Sequence, residues 1–166
     1  MSDKGARGER VDESGPLIKK MMEAQGAKVV EYAVIPDEKV MISATLSRWA
    51  DAGSIDLVLT NGGTGLGARD NTPEATLQVV DRLVPGLAEA MRAESFKKTP
   101  AGILSRGQAG MRKRTLIVNL PGSPKAVKEC LEAILPAIPH AMEMMKGEAS
   151  ECASRTDLHY HNHTAQ

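Results

Sequence analysis

Aromatic residues are scarce in this chain: one Trp, two Tyr and one Phe make up 2% of its 166 residues. Proteins that bind single-stranded nucleic acid by base stacking need such side chains. An excess of one charge is also missing, because 21 basic residues balance 21 acidic ones and the formal net charge is zero. A balanced chain lacks the positive field that attracts nucleic acids or anionic membrane surfaces. We therefore expect no nucleic acid and no membrane among its partners.

Cysteine and long apolar runs are equally scarce. Cys130 and Cys152 are the only two cysteines, and neither has a CxxC partner, so the sequence predicts no disulfide framework. A reduced, cytoplasmic setting fits this usage, with Cys130 as a buried residue of an apolar helix. No apolar run approaches the roughly 18 residues that span a membrane. The charged first twenty residues do not resemble a signal peptide.

A glycine-rich loop follows the apolar segment 55–59, which has the pattern of a buried strand. The loop reads Thr-Asn-Gly-Gly-Thr-Gly over residues 60–65, and Thr72-Pro73 then have the pattern of a helix N-cap and first helical position. A strand, a glycine loop and a helix start together are typical of phosphate sites in open α/β sheets. We expect this loop to bind an anion rather than to be a bare turn. The donors would be the amides of Gly62, Gly63 and Gly65 and the hydroxyls of Thr60 and Thr64.

Two nucleotide-binding signatures fit this loop poorly. Residues 63–68 formally match the dinucleotide fingerprint G-x-G-x-x-A, but residues 69–71 intervene before the helix start at Thr72-Pro73. No acidic residue ends a second strand at the distance that this fingerprint requires. The Gly-Lys-Ser/Thr of a phosphate-binding P-loop is absent as well. The sequence therefore disfavours a Rossmann-type NAD site.

Asp37 and Asp70 each follow a predicted strand. The carboxyl ends of parallel strands share one edge of a sheet, so both side chains are candidates for holding Mg²⁺ against phosphates. Simpler interpretations remain open at both positions. Asp37 has the spacing of a helix N-cap, and Asp70 could form an ordinary salt bridge with Arg69.

A third candidate is the turn over residues 119–125, which leaves another strand and enters a helix at Ser123-Pro124. Ser105 also ends a predicted strand. Ordinary turn chemistry is the alternative interpretation at both places. The tail holds His159, His161 and His163, for which we expect adventitious metal binding at most.

Hydrophobic periodicity predicts an α/β fold with three layers and a mostly parallel sheet. The predicted strands cover residues 28–35, 55–60, 102–105 and 115–120. The predicted helices cover about residues 15–25, 38–52, 73–83, 85–96, 123–134 and 136–147. Residues 1–147 are expected to form one domain, and residues 148–166 a polar tail.

Taken together, these segments resemble the molybdopterin adenylyltransferase family of MogA/MoaB type, which includes the G domains of gephyrin. The matching stretches are residues 36–38, 60–65, 69–75, 103–106 and 119–125, and residues 134–141 are similar to the G-domain branch. The resemblance implies that molybdopterin attacks the α-phosphorus of MgATP, giving adenylyl-molybdopterin and pyrophosphate. Asp37 and Asp70 match the two essential carboxylates, which handle Mg²⁺ and the transfer.

The resemblance also implies where the two substrates, ATP and molybdopterin, would bind. The binding residues it implies are Thr60, Gly62, Gly63, Thr64, Gly65, Ser105, Asn119, Pro121, Gly122 and Ser123. A homotrimer and a molybdate-inserting partner protein are implied as well. Two other functions remain open: a non-catalytic trimeric scaffold that binds molybdopterin, and a CinA-type domain that acts on nucleotide pyrophosphates.

The chain departs from the family pattern at two places. Asn61 replaces the second Thr of the usual Thr-Thr-Gly-Gly-Thr-Gly loop. Family members also begin with an apolar strand ahead of a Ser-Asp motif, whereas Met1 directly precedes Ser2-Asp3 here. The usual first strand is therefore expected to be missing, which would leave unpaired backbone and an apolar slot in the core.

Overall fold

The computed structural model describes residues 1–9 and 11–147, so Cys152, the histidine cluster and the predicted polar tail lie outside the described residues. The α-helices in this part of the chain are α1 (Asp3–Ala6), α2 (Ser14–Ala24), α3 (Lys39–Asp51), α4 (Thr72–Val79), α5 (Pro85–Lys98), α6 (Pro124–Ile134) and α7 (Ile138–Lys146). The strands are β1 (Leu57–Asn61), β2 (Arg82–Leu83), β3 (Ala109–Arg112) and β4 (Thr115–Leu120). None of the described helices has the length and apolar character needed to cross a membrane.

The four described strands form one sheet in the order β1-β4-β3-β2. β1 pairs with β4 in parallel, whereas β3 is antiparallel to both β4 and β2. The sheet is mixed rather than mostly parallel because only the two residues Lys113 and Arg114 separate β3 from β4, and so short a connection permits only a hairpin. The predicted α/β class is confirmed.

Strand β4 divides the core into two halves, because alternate side chains of a strand point to opposite faces. Leu116, Val118 and Leu120 pack in one apolar cluster with residues from α2, α5, α6 and α7. Ile117 packs in the second cluster, with residues from α3 and α4. Helices therefore cover both faces of the sheet, which confirms the three predicted layers.

Two predicted elements change type around β3. The helix predicted over residues 73–83 ends at Val79, because the Asp81 amide donates to Met111 (2.7 Å) and the chain joins the sheet as β2. The strand predicted over residues 102–105 is a 3₁₀ helix, Pro100–Leu104. Gly102 there packs directly on α5, where a Cβ would lie 2.6 Å from Ser95. The strand that replaces this prediction is β3.

The strand predicted over residues 28–35 is not part of the sheet. The segment is extended, but among the described residues its only backbone hydrogen bond is Ser2 N–H to the Ile35 carbonyl (3.1 Å). Its side chains are exposed to a degree unusual for a strand, with Val30 54% and Tyr32 55% exposed. A groove lies between this segment and β1, whose outer edge has no strand partner among the described residues. The expectation of a slot where a first strand would lie is consistent with this arrangement.

Truncating Ile117 tests the central position of β4. Ile117 is fully buried, so Ile117→Ala should lower the free energy of unfolding by about 2–5 kcal/mol through lost burial and a cavity. Val11, which precedes α2, is 82% exposed, and Val11→Ala is the matched control, with an expected change within about 0.5 kcal/mol. Urea denaturation of both variants measures the difference. Similar values for the two variants would contradict this packing.

Candidate active site

The glycine loop and the turn after β4 meet at one edge of the sheet. Parallel pairing aligns Thr60 with Asn119 and Asn61 with Leu120, so both loops leave the sheet side by side. The Gly62 amide donates to the Leu120 carbonyl at 3.1 Å. A Cβ on Gly122 would lie 3.3 Å from the Gly62 Cα. The glycine loop and the turn after β4 are therefore neighbours in the structure.

Glycine is required at the first two glycine positions of the loop, residues 62 and 63. Gly62 and Gly63 have φ angles of 88° and 65°, a region that other residues rarely adopt. A Cβ on Gly62 would also lie 2.5 Å from the Met1 carbonyl oxygen. These positions form the sharp turn that leads from β1 into the loop.

The loop offers fewer free amides than the sequence indicates. The Gly62 N–H is used by Leu120, so this amide is not available to an anion. The amides of Gly63 and Gly65 have no hydrogen-bond partner among the described residues. The carbonyl of Thr64, which lies between them, accepts the Arg106 N–H at 2.9 Å. The available donors are thus the amides on either side of Thr64.

Asn119 and Thr60 lie beneath the loops and support them. The buried Asn119 Nδ2 donates to the hydroxyls of Thr60 (3.0 Å) and Thr76 (2.9 Å), and its Oδ1 accepts the Gln108 N–H (3.1 Å). These bonds join β1, β4, α4 and the residue before β3. Because the Asn119 side-chain amide is hydrogen-bonded to other protein groups, Asn119 supports the loops in this structure rather than facing the open edge.

Arg106 holds the glycine loop closed. Its guanidinium donates to the Gly65 carbonyl at 2.7 Å, to the Asp70 carbonyl and to the Glu74 carboxylate. The planar fork of arginine matches such a set of acceptors, which lysine cannot reproduce. Ser105, a predicted site residue, is half-buried directly before this clamp and accepts the Gly107 N–H at 3.4 Å. Sequence reasoning missed the role of Arg106 because its partners are carbonyls distant in the chain.

Asp70 is turned toward the glycine loop. Its Oδ2 accepts the Gly67 N–H at 2.8 Å, and a Cβ on Gly65 would lie 2.9 Å from that same oxygen. The alternative of a salt bridge with Arg69 is not observed. Arg69 instead pairs with Asp3 (2.9 Å) and Glu38 (2.6 Å). Asp70 is therefore left without a basic side-chain partner among the described residues.

Asp37 lies on the other side of the loop and is not a helix cap. Helix α3 begins at Lys39 after Glu38, with no side-chain capping bond. The Asp37 Oδ2 accepts the Asp3 N–H at 3.0 Å, while its Oδ1 is buried and has no hydrogen-bond partner among the described residues. Burial raises the pKa of this carboxyl, and the charges of Asp3 and Asp70 act in the same direction.

Thr72 contributes a second unpartnered oxygen to the same place. Its hydroxyl is fully buried and has no hydrogen bond to any described residue, and the helix cap is Asn71 rather than Thr72 as predicted. A Cβ on Gly63 would lie 2.4 Å from the Thr72 Oγ1 and 3.2 Å from the Asp37 Oδ1. Buried polar atoms are normally bonded, so two such oxygens around one glycine mark a place for a water, a cation or a substrate donor. No sequence signal distinguished this hydroxyl from an ordinary cap.

The turn after β4 forms the opposite wall. Ser123 caps α6 as predicted, its hydroxyl accepting the Ala126 N–H at 3.3 Å. Gly122 and Ser123 are exposed and Pro121 is half-buried, so this helix start faces solvent beside the glycine loop. The Ser14 hydroxyl donates to the Gly122 carbonyl at 2.9 Å and thereby ties the turn to α2. The edge thus presents a helix N-terminus and two loop amides facing two carboxylates.

Comparison with known proteins agrees with this arrangement. The family described as "Probable molybdopterin binding domain" matches residues 1–140. The molybdopterin adenylyltransferase of Helicobacter pylori is 43% identical over 148 residues, covering 88% of this chain and 84% of that protein. The chain belongs to the molybdopterin adenylyltransferase family of MogA/MoaB type. The predicted resemblance is confirmed.

Two further relatives also match most of this chain. The Drosophila melanogaster molybdenum cofactor synthesis protein cinnamon is 41% identical over 140 residues, which are 84% of this chain and 23% of that longer protein. The crystal structure of the molybdopterin biosynthesis enzyme MoaB from Thermus thermophilus superposes with a TM-score of 0.84 at 53% identity. The superposition covers 90% of this chain and 94% of that one.

Arg106→Lys tests the clamp. Lysine retains the charge but cannot bond the carbonyls of Gly65 and Asp70 together with Glu74, so we expect a loss of about 1–3 kcal/mol in unfolding free energy. Hydrogen exchange at the amides of residues 63–72 should increase in the same variant. Arg114 is exposed in the β3–β4 turn, and Arg114→Lys is the control. Unchanged exchange in Arg106→Lys would show that the loop does not depend on this side chain.

Asp37→Asn tests the cost of the buried carboxylate. Because its folded-state pKa is raised, the folded protein binds this proton more tightly than the unfolded chain, and ionisation above that pKa destabilises the fold. We expect Asp37→Asn to raise the melting temperature by about 1–3 °C at pH 7, with a gain that shrinks as the pH falls below about 4, where the unfolded carboxyl also becomes protonated. Calorimetry at several pH values measures this trend. The exposed Asp56→Asn is the control, and a lower melting temperature for Asp37→Asn at pH 7 would refute the argument.

Proposed function

We propose that this chain transfers the adenylyl group of MgATP to molybdopterin, as a step of molybdenum cofactor biosynthesis. The observation that carries the proposal is the placement of Asp37 and Asp70 on either side of a glycine loop with free amides. The relatives named molybdopterin adenylyltransferase support the same reaction. The geometry provides anion donors and carboxylates at one edge, which is what adenylyl transfer requires.

In the proposed reaction the terminal phosphate oxygen of molybdopterin attacks the α-phosphorus of ATP. A new P–O bond forms there, while the bond from the α-phosphorus to the oxygen that bridges it to the β-phosphorus breaks. Pyrophosphate leaves with that electron pair. Such a transfer depends on positioning and charge neutralisation more than on a covalent enzyme intermediate.

Each part of the edge has a role in this reaction. The amides of Gly63 and Gly65 and the start of α6 at Ser123 would bind phosphate oxygens. Asp37 and Asp70 would hold Mg²⁺, since carboxylate oxygens suit this cation and the Asp37 Oδ1 is without a partner. When bound, that ion would neutralise phosphate charge. The described residues include no group of three acidic, His or Cys side chains around one point, so substrate phosphates would complete its ligands.

We also propose that the protein works in the cytoplasm as a homotrimer and passes its product to a molybdate-inserting partner. The absence of a disulfide framework supports the location. Exposed apolar side chains on neighbouring helices, among them Val40, Met41 and Leu77, support self-association.

Asp70→Asn tests the proposed activity. Asparagine retains an oxygen that can accept the Gly67 N–H, but it removes the charge. We expect pyrophosphate release from ATP and molybdopterin to fall at least about 100-fold, with an unchanged melting temperature. The measurement is titration calorimetry with purified molybdopterin, followed by MgATP and detection of pyrophosphate in the same sample.

The exposed Glu23→Gln, on α2, is the control variant and should retain full turnover. Full turnover in Asp70→Asn would refute the assigned role. Molybdopterin binding by the unaltered chain without pyrophosphate release would support the scaffold function instead. A folded chain that binds no molybdopterin would overturn both functions.

A further inference from the structure

The Arg69 side chain joins three separate parts of the chain beside the two carboxylates of the site. Its Nε and Nη2 donate to the two carboxylate oxygens of Asp3, at 3.0 Å and 2.9 Å. The Nη2 also lies 2.6 Å from the Glu38 Oε1. The planar fork of arginine matches a carboxylate in this two-bond geometry, which lysine cannot reproduce. Arg69 therefore connects α1, the turn before α3 and the segment before α4.

Asp3 passes this connection on to Asp37. The Asp37 N–H donates to the Asp3 Oδ1, and the Asp3 N–H donates to the Asp37 Oδ2, both at 3.0 Å. The Asp3 Oδ1 thus accepts from Arg69 and from the Asp37 amide together. One oxygen of the Asp37 carboxylate is fixed by this pair of bonds. The orientation of its other oxygen, which faces Gly63, consequently depends on an aspartate that Arg69 holds in place.

The same arginine determines where Asp70 lies. Asp70 follows Arg69 directly, so the anchoring of the Arg69 side chain on Asp3 limits how far the Asp70 backbone can move. Asn71 strengthens this link, because its Nδ2 donates to the carbonyls of Arg69 (3.3 Å) and Asp37 (3.4 Å). Both carboxylates of the site are therefore tied to one guanidinium, Asp37 through Asp3 and Asp70 through the chain.

We propose that Arg69 is a positioning residue, which sets the separation of the Asp37 and Asp70 carboxylates by way of Asp3. In this role it bonds neither a phosphate nor a metal ion. The catalytic consequence rests on the proposed adenylyl transfer, whereas the effect of Arg69 on the position of Asp37 can be measured without substrate. A displacement of about 1 Å in such a site lowers the rate of the chemical step by about 100-fold.

An arginine beside a glycine loop could instead bind phosphate, and the contacts of Arg69 argue against that role. Its Nε and Nη2 are engaged by carboxylates, and two acidic neighbours offset its positive charge. The two roles also differ in their kinetics. Loss of a phosphate contact that is equally strong throughout the reaction raises the KM for ATP, whereas loss of positioning lowers kcat.

Arg69→Lys is the first test, because lysine keeps the charge but loses the two-bond geometry. We expect hydrogen exchange at the Asp37 amide to accelerate at least tenfold, since the Asp3 Oδ1 no longer stays on it. The kcat for pyrophosphate release should fall at least tenfold, with the KM for ATP within about twofold. The melting temperature should change by less than about 2 °C, because a half-exposed ion pair contributes little stability.

Arg7→Lys is the matched control. Arg7 also donates to both oxygens of one carboxylate, that of Glu9, at 2.7 Å and 3.0 Å. Its side chain is 59% exposed against 54% for Arg69, but it forms no hydrogen bond with a residue of the site. Arg7→Lys should leave the exchange of the Asp37 amide, kcat and KM unchanged.

Asp3→Asn tests whether Arg69 acts through Asp3. Asparagine keeps an oxygen for the Asp37 amide but removes the charge that holds Arg69, so kcat should fall in this variant as well. If Arg69 acts through Asp3, the double variant Asp3→Asn/Arg69→Lys should be within about twofold of the slower single variant. Effects of the two substitutions that multiply would refute the proposed route.

The exchange and kinetic measurements distinguish failure of this proposal from failure of the proposed function. Unchanged exchange of the Asp37 amide in Arg69→Lys would overturn the positioning role, whatever the activity. A raised KM for ATP with an unchanged kcat would assign Arg69 to phosphate binding and refute the proposal. If the unaltered chain releases no pyrophosphate, the catalytic consequence is overturned with the proposed function, and the exchange of the Asp37 amide alone decides whether Arg69 positions it.

Discussion

The parallel pairing of β1 with β4 is the constraint on which the active site depends. It sets the ends of two strands at the same height, so that a glycine turn and a helix-starting turn leave the sheet together. Asn119 secures this pair from below with three side-chain hydrogen bonds, two of which are fully buried. Breaking such a buried network leaves several polar groups without partners, which is more costly than losing one contact. The positions of both loops are thus set by residues that are buried beneath them.

The site stores unfavourable electrostatics that a ligand would relieve. Within the part of the chain that the structure describes, the Asp37 Oδ1, the Thr72 Oγ1 and the Glu74 Oε2 are all buried without a hydrogen-bond partner. Meanwhile Arg69, which directly precedes Asp70 in the sequence, is paired with Asp3 and Glu38 instead. Retaining such groups lowers stability, and proteins keep them where binding requires preorganised polar atoms. This pattern supports a site for a charged ligand more strongly than the glycine motif alone.

Much of the fold could be predicted from the sequence because its signals are local. Pro85 indicated the start of α5, and the pair Ser123-Pro124 indicated the start of α6. Continuous apolar residues indicated β1 and β4. Whether an extended segment joins a sheet depends, however, on residues that are distant in the sequence. Residues 28–35 have the composition of a strand but lack a neighbour among the described residues, whereas Ala109–Arg112 have a weak pattern and pair on both sides.

The same limit applies to the site. The motif located the glycine loop, Asp37 and Asp70, since those residues are close to strand ends. It did not separate Thr60 and Asn119, which support the loops, from the residues that face solvent. Nor did it indicate Arg106, because the partners of that guanidinium are carbonyl oxygens, and every residue type carries one. Roles that depend on backbone acceptors leave no compositional signal in a single sequence.

The Arg106 clamp also bears on how this loop can change during evolution. The Thr72 N–H donates to the Gly63 carbonyl at 3.1 Å, so the chain closes into a ring that Arg106 crosses from Gly65 to Asp70. Because these hydrogen bonds hold the loop at its two ends and in its middle, only a loop of this length fits between them. Side chains on its outer rim, such as the exposed Leu66 and Ala68, can be exchanged freely. Insertions and deletions would break these hydrogen bonds, so we expect the length of this loop to be more tightly constrained than the identity of its outer residues.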